Sequence, residues 1–467
     1  VGDVPLFIND NNGKLIDSKN EEQLLRAMEE VFHNSSNYNP AKIRNMVLDK
    51  VSPAAISKQF TDIYRTVIGA RSPVAGDKLQ TPAKLKVLFI SSWYPNRVRP
   101  LHGISIQRYA ELLVPECDVS VVYICSDNKN GVEIKNINGI YTLIIYFKRI
   151  KTNIPPVSPL IKLLRYCMAW RKALKIHRKE KGKPDIINSN IVYPVSIIAS
   201  LLKKAWGVPY VITECWSGYF PEDGRYKGFF KKTVSKIAVA NASAVITPSF
   251  ILAKTMRSLG LKNNYLTIPN VVDVEQFNIK LPAHPADTSF HFIHISSLTE
   301  EKNITGIIRA FKKIHSVHPQ TKLTIIWDEE VKELLDKIKE PFSERDGIFL
   351  LGKKVGAELA GILQAADAFV LFSYFETQSI VLLEALCCGI PVIASRCRGP
   401  EEYITAKNGL LVDVNNEVQL AEAMEKMIKN RAMYNPVEIR NSVSDMVRKE
   451  NIAGKLIETF KDVLKLN

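Results

Sequence analysis

Two carboxylates, Glu376 and Glu384, are separated by seven residues where a polar turn passes into a helix. Ahead of them Ala368-Phe369-Val370-Leu371-Phe372 is an apolar run short enough to be a buried parallel strand. Behind the turn, Ile380 to Cys388 is rich in helix formers, Gly389 is placed to stop it, and Pro391 leads into Val392-Ile393-Ala394. Strand, turn, helix, glycine and strand make a βαβ unit, which binds ligands where the strand's carboxyl end meets the helix N-terminus. Carboxylates accept hydrogen bonds from hydroxyls, while the N–H groups of Ser379, Ile380 and Val381 suit an anionic phosphate. The ligand this chemistry fits carries many hydroxyls and a phosphate. The same spacing also allows a plainer arrangement, in which Glu376 caps the helix and Glu384 is a solvated charge.

The stretch from Phe375-Glu376 to Ser395, with Glu-Ala-Leu and Cys-Gly-Ile-Pro-Val inside it, resembles the Glu-x7-Glu motif of family 4 retaining glycosyltransferases. That family has the GT-B fold. The resemblance implies that the helix N-terminus at Ser379, Ile380 and Val381 binds a donor diphosphate, that Glu376 contacts the sugar hydroxyls, and that Glu384 binds the ribose. Thr377-Gln378-Ser379 stand where the family usually has glycines. Three more stretches carry the likeness. Ser92-Trp93-Tyr94-Pro95 with His102-Gly103-Ile104 is similar to the family's first loop, where Gly103 would let backbone approach the donor phosphates. Ser296 to Asn303 is similar to the segment that holds the diphosphate; Lys302 matches, and Ser297 stands where an Arg is expected. A lysine there supplies a point charge without the bidentate fork.

Thr213-Glu214-Cys215-Trp216 resembles a strand tip that commonly reads Thr-Glu-His-Trp, with the His beside the reacting sugar. Here Cys215 holds that place, and a thiol replaces imidazole poorly as an acid, base or hydrogen-bonding group near neutral pH. The resemblance therefore implies Glu376, Lys302 and Cys215 as catalytic positions. Gly103, Ser297, Lys302, Glu376, Ser379, Ile380, Val381 and Glu384 are implied for the donor. Trp216, Tyr219 and Arg225 in the following polar-aromatic loop, together with His102, are the acceptor-side candidates.

These residues must be positioned by strands alternating with helices twice over, which predicts an α/β chain of two doubly wound parallel sheets facing across a cleft. Residues 84–281 are expected to form the acceptor-side half, 282–450 the donor half around a hinge at Pro282 to Asp287, and 451–467 a helix returning to the first half. Residues 1–70 repeat 398–467. With Gly13 set against Gly409, Asn20-Glu21, Gln23-Leu24 and Ala27-Met28-Glu29 meet Asn416-Glu417, Gln419-Leu420 and Ala423-Met424-Glu425 without a gap. That segment is expected to be the tail of a second, related glycosyltransferase, joined through a Pro- and Gly-punctuated linker at 71–83.

With 467 residues there is material for two or three domains, and 46% hydrophobic with 24% charged residues is ordinary globular composition. The net charge of +15 favours anionic partners. Zinc-finger spacing and RNA-binding signatures are absent from the sequence, so sugar nucleotides and an anionic membrane surface lead over nucleic acid. Residues 148–183 are the most basic stretch, with Leu160, Ile161, Leu163, Leu164, Cys167, Met168, Leu174 and Ile176 at helical spacing and Lys162, Arg165, Arg171, Lys172, Lys175, Arg178, Lys179 and Lys181 filling the gaps. Such a helix either lies on lipid or packs its apolar face on a sheet. Seven cysteines without Cys-x-x-Cys spacing are expected to be reduced thiols in a cytoplasmic protein on or near the inner membrane face, with no metal and no cofactor. The expected reaction moves a sugar, with retention, from a nucleoside diphosphate to a glycan or lipid-linked acceptor in surface polysaccharide synthesis. Alternatives are a catalytically weak nucleotide-sugar-binding protein of the same fold and a nucleotide-sugar epimerase.

Overall fold

The computed structural model describes Lys14 and residues 20–34, 84–100, 102–148, 157–279, 289–297, 299–327, 338 and 340–466. The linker at 71–83, the hinge at 282–287 and most of the repeated 1–70 segment lie outside those residues. Within the first unit, residues 1–83, one helix is described, α1 (Glu21–His33). Asn20 caps it, its side chain accepting from the Gln23 N–H at 3.0 Å.

The second unit begins at Lys84 and contains two sheets. Its first half runs β1 (Leu85–Ser91), α2 (Ile104–Leu113), β2 (Cys117–Asp127), β3 (Gly131–Ile137) and β4 (Ile140–Lys148). It continues with α3 (Val157–Lys181), β5 (Ile186–Asn190), α4 (Ser196–Trp206) and β6 (Tyr210–Thr213). Then follow α5 (Phe229–Asn241), β7 (Ala244–Thr247), α6 (Phe250–Ser258) and β8 (Tyr265–Thr267). The sheet order is β3-β4-β2-β1-β5-β6-β7-β8. Helices cover both faces, so the inner strands can be apolar throughout; Val87 to Ile90 are all fully buried. The edge strand β3 runs antiparallel to β4 and was not expected from the sequence. Its Val132 and Ile134 are 43% and 50% exposed, so it has no buried face to make it conspicuous.

The second half runs β9 (Phe290–Ser296), α7 (Ile304–Val317), β10 (Thr321–Trp327), β11 (Ile348–Leu351), α8 (Gly356–Gln364) and β12 (Ala368–Leu371). It continues with α9 (Ile380–Cys387), β13 (Val392–Ser395), β14 (Gly409–Val412) and α10 (Glu417–Lys429). Its sheet, β11-β10-β9-β12-β13-β14, is parallel throughout. Helix α10 repeats α1 in its cap, with the Asn416 side chain accepting from the Gln419 N–H at 3.0 Å. Its Leu420, Met424 and Met427 are fully buried against α7.

The chain closes with α11 (Pro436–Asn441), α12 (Ser444–Val447) and α13 (Lys449–Leu464). Ile452, Leu456 and Phe460, at i, i+4 and i+8, are fully buried with residues of α2 and the first sheet. The last helix thus returns to the first half. Arg440 fastens this return, its guanidinium donating to the carbonyls of Cys387, Val274 and Phe277 at 2.6–2.8 Å.

Candidate active site

The turn after β12 is held in place by its neighbour after β13. The Glu376 N–H donates to the Cys397 carbonyl at 2.8 Å, and the Gly399 N–H to the Glu376 carbonyl at 3.0 Å. Only glycine fits at 399, because a Cβ there would stand 2.0 Å from the Thr377 carbonyl oxygen. The turn ends at Ser379, whose φ of 73° is the left-handed value that favours glycine. Ser379 caps α9, its hydroxyl accepting from the Leu382 N–H at 3.4 Å. In the plainer arrangement Glu376 was the cap; the cap is Ser379 instead.

Glu376 points the other way, into a cleft of about 270 Å³ between the two halves. Its Oε1 lies 2.5 Å from Lys302 Nζ and accepts from the Ser373 hydroxyl at 3.0 Å. Lys302 sits in the turn after β9 with a side chain only 16% exposed. Burial alone pulls the lysine pKa down, but the charge and hydrogen bond of Glu376 outweigh it and hold the pKa above the ordinary lysine value. The ammonium is charged throughout the physiological range. Beside it lie Ser297 and the first turn of α9, where Ser379, Ile380 and Val381 line the same cleft. Their backbone N–H groups belong to the turn of a helix that has no intrahelical acceptor.

Beneath this surface the structure adds a residue not anticipated from the sequence. His294, fully buried at the end of β9, bridges the Val370 carbonyl and the Ser296 hydroxyl at 2.8 Å each. Burial lowers its pKa to about 4, so it is neutral and ties β9 to β12 directly under Lys302.

Glu384 is neither solvated nor in the cleft lining. It is 3% exposed, and Arg108 from α2 lies 3.6 Å away. Burial raises its pKa to about 7, with Arg108 offsetting only part of that cost. The two carboxylates therefore occupy different environments: Glu376 in the cleft on Lys302, Glu384 on the buried side of α9 at the junction with the first half.

The first half contributes Ser105, Cys215 and Asn270 to the cleft. Cys215 follows β6 and faces the cleft as expected; burial pushes its thiol far up, so it is protonated at neutral pH. Gly103 caps α2 at a φ of 79°, and a Cβ there would stand 2.7 Å from the Trp93 backbone. Its requirement comes from that contact. His102 packs on the Trp93 ring at 5.4 Å. Neither Gly103 nor His102 lines the cleft, where Ser105 takes their place.

Tyr219 is a correction to the acceptor-side set. It is 2% exposed, and its hydroxyl donates to Glu214 at 3.0 Å. Trp216 packs edge-on against it at 5.3 Å, and Arg225 lies over Trp216 while paired with Asp223. Glu214 organises this loop: fully buried, it accepts from the N–H groups of Val192 and Trp216 at 2.8 Å as well as from Tyr219.

Gln378, in one of the positions where glycine is usual, is fully buried and joins the halves. Its carbonyl accepts from Asn270, through N–H and side chain, at 2.8 and 2.6 Å. Its amide donates to the Pro248 carbonyl at 3.0 Å and to the Tyr403 hydroxyl at 2.6 Å. Nearby, Glu402 accepts from the Phe250 and Ile251 N–H groups at 3.0 and 2.7 Å, so that a carboxylate of the second half caps α6 of the first.

Two parallel-sheet halves, a cation–carboxylate pair in the cleft between them and a helix N-terminus beside it are the features of a sugar-transferring GT-B enzyme. The chain matches the family described as Glycosyltransferase Family 4 over residues 103–276 and that described as Glycosyl transferases group 1 over residues 277–448. The protein belongs to the family 4, group 1 glycosyltransferases. It is 24% identical over 390 residues to the putative teichuronic acid biosynthesis glycosyltransferase TuaC of Bacillus subtilis, covering 79% of this chain and 96% of TuaC. It is 26% identical over 267 residues to an uncharacterized glycosyltransferase of Methanocaldococcus jannaschii, covering 53% of this chain and 64% of that protein. Among solved structures, Anabaena HepE in complex with UDP-glucose shares the fold with a TM-score of 0.59 and 18% identity, over 81% of this chain and 100% of that one.

Proposed function

We propose that the enzyme transfers a sugar, with retention, from a nucleoside diphosphate sugar to a hydroxyl of a glycan or lipid-linked acceptor in surface polysaccharide synthesis. The observation that carries this reading is the Lys302–Glu376 pair, 2.5 Å apart beside the N-terminus of α9. Lys302 and the first-turn N–H groups of α9 would take the diphosphate. Glu376, released from Lys302 by that exchange, would accept hydrogen bonds from the sugar hydroxyls. Glu384 would receive the ribose hydroxyls once α2 and α9 admit the nucleoside. Charge builds on the departing diphosphate as the glycosidic bond breaks, and fixed donors aimed at that charge lower the barrier. The departing oxygen itself then serves as base for the acceptor hydroxyl on the same face. The resemblance to TuaC supports the acceptor class, and that to HepE the donor class. A thermal-shift screen across nucleoside diphosphate sugars, followed by product analysis with the stabilising donor, tests the proposal. If no such donor raises the melting temperature, it fails.

Glu384 gives this reading a pH dependence. Only the ionised carboxylate accepts from both ribose hydroxyls, so nucleoside diphosphate affinity should rise as pH passes through about 7. Glu384→Gln should weaken binding about tenfold above that pH and flatten the profile. Stability runs the opposite way. The folded chain holds this proton more tightly than the unfolded chain, whose carboxyl titrates near 4.5. The burial cost is therefore absent below pH 4.5 and complete above 7. Calorimetry at pH 6 and 8 would decide the matter; a flat wild-type profile would remove Glu384 from the nucleotide site.

A second reading, a catalytically weak nucleotide-sugar-binding protein, draws on the protonated thiol of Cys215 in the cleft. An imidazole there could hydrogen-bond the reacting sugar. Cys215→His is expected to raise turnover about 10²-fold with nucleotide affinity unchanged. An ordinary wild-type turnover that the histidine leaves unimproved would dismiss this reading.

A further inference from the structure

In the first half, the parallel strands β4 and β6 each hand over to a helix at the strand's carboxyl end, the end at which Cys215 meets the cleft. Helix α3 follows β4 and α5 follows β6, so the first turns of both lie at that end. Both also lie on one face of the sheet, since Ala169, Trp170 and Ala173 of α3 share a core with Ala238 and Val239 of α5. What these helices turn outward is unusual. On α3, Leu163, Leu164 and Met168 are 49%, 56% and 70% exposed, and Cys167 between them is exposed as well. On α5, Phe229 and Phe230 open the helix at 87% and 63% exposure.

The apolar groups are bordered by exposed cations. Lys162, Arg171, Lys172 and Lys175 flank those of α3, and Lys227 and Lys232 those of α5. Glu180 is the one acid between Val157 and Lys181, and α5 has none. The expectation that α3 either packs on the sheet or meets another surface resolves by position along the helix. From Ala169 onward it packs, with Trp170 2% exposed and His177 bonded to Ser120 at 2.8 Å. Before that point Leu163, Leu164, Cys167 and Met168 face outward, while Tyr166 packs edge-on against Trp170. Apolar side chains projecting from a rim of lysines and arginines match the layering of an anionic bilayer, with headgroup phosphates outside and acyl chains within.

We propose that the exposed faces of α3 and α5 form one docking surface for an anionic lipid bilayer, with Phe229 and Phe230 entering the acyl boundary. The surface holds the cleft's acceptor side against the membrane. It rests on exposure and charge and is independent of the donor chemistry, so its test reads lipid binding and not transfer. The full chain is mixed with phosphatidylcholine vesicles and with vesicles that also contain phosphatidylglycerol, and the bound fraction is measured by flotation. Binding is expected on the anionic vesicles only, and about tenfold weaker at high salt.

F229S/F230S and K172E/K175E should each weaken binding about tenfold or more with the melting temperature unchanged, since all four side chains are exposed. K455E/K461E on α13, far from this face in the chain, should leave it unaltered. Equal binding to both vesicle types, no binding, or an equal loss in K455E/K461E would each overturn the proposal. So would self-association in light scattering that F229S/F230S abolishes while vesicles are ignored, because the face would then join copies of the chain.

Discussion

Lys302→Ala lowers kcat/KM for sugar transfer by about 10²–10³ while leaving a folded protein; that is the expected result with the greatest effect on activity. The substitution removes the one side-chain cation that lines the cleft among the described residues, and the N–H groups of α9 remain. It also leaves Glu376, 12% exposed at its side chain, without its partner at 2.5 Å. Losing one member of so buried a pair costs about 3 kcal/mol of stability. Lys302→Ala should therefore melt earlier as well, and rates have to be taken well below its midpoint. Glu376→Gln separates the two roles, since nucleotide affinity should persist while transfer is lost. Single-turnover product formation settles the question: a Lys302→Ala enzyme retaining more than about a tenth of wild-type activity leaves the cation without the role assigned to it.

The largest stability effect is expected at Glu214, away from the reacting atoms. Glu214→Ala strips acceptors from the N–H groups of Val192 and Trp216 and from the Tyr219 hydroxyl, all within the first half's interior. Three buried donors left without partners cost about 3 kcal/mol even after the burial cost of the carboxyl is relieved. Burial raises the Glu214 pKa to about 7 against the pull of those three donors, so the group is neutral in a large share of molecules at physiological pH. Glu214→Gln should accordingly retain most of the stability that Glu214→Ala loses. Denaturant melts of the two variants provide the check, and equal losses would mean that the site rewards volume alone.

Much of this fold could be read from residue order. Apolar runs such as Val392-Ile393-Ala394 set between helical segments announce strands covered on both faces. Strand β3 escaped because its apolar residues are half exposed, although Asn138-Gly139, with φ of 50° and 84°, is a recognisable hairpin turn before β4. At the site, Glu376 and Lys302 were legible because each lies in the turn that follows a strand of one sheet and is carried by its own local motif. Glu384 was not, because its environment depends on Arg108 from a different half, and no spacing within α9 encodes that. Tyr219 was misplaced for a related reason. An aromatic loop after a strand tip fits an acceptor or a core equally well, and only the position of Glu214 decides between them. Gln378 carried a readable signal, a bulky amide where glycine is usual, but the three residues that share its four hydrogen bonds come from three separate stretches of chain.

The cap that Glu402 places on α6 has a consequence for how the two halves part. Opening the cleft withdraws both carboxylate oxygens from the Phe250 and Ile251 amides, and Ser249 supplies no side-chain substitute. Halves that parted at this contact would therefore not swing as two finished rigid bodies. The first turn of α6 would be left without its cap, and restoring that cap would be part of the work of closing.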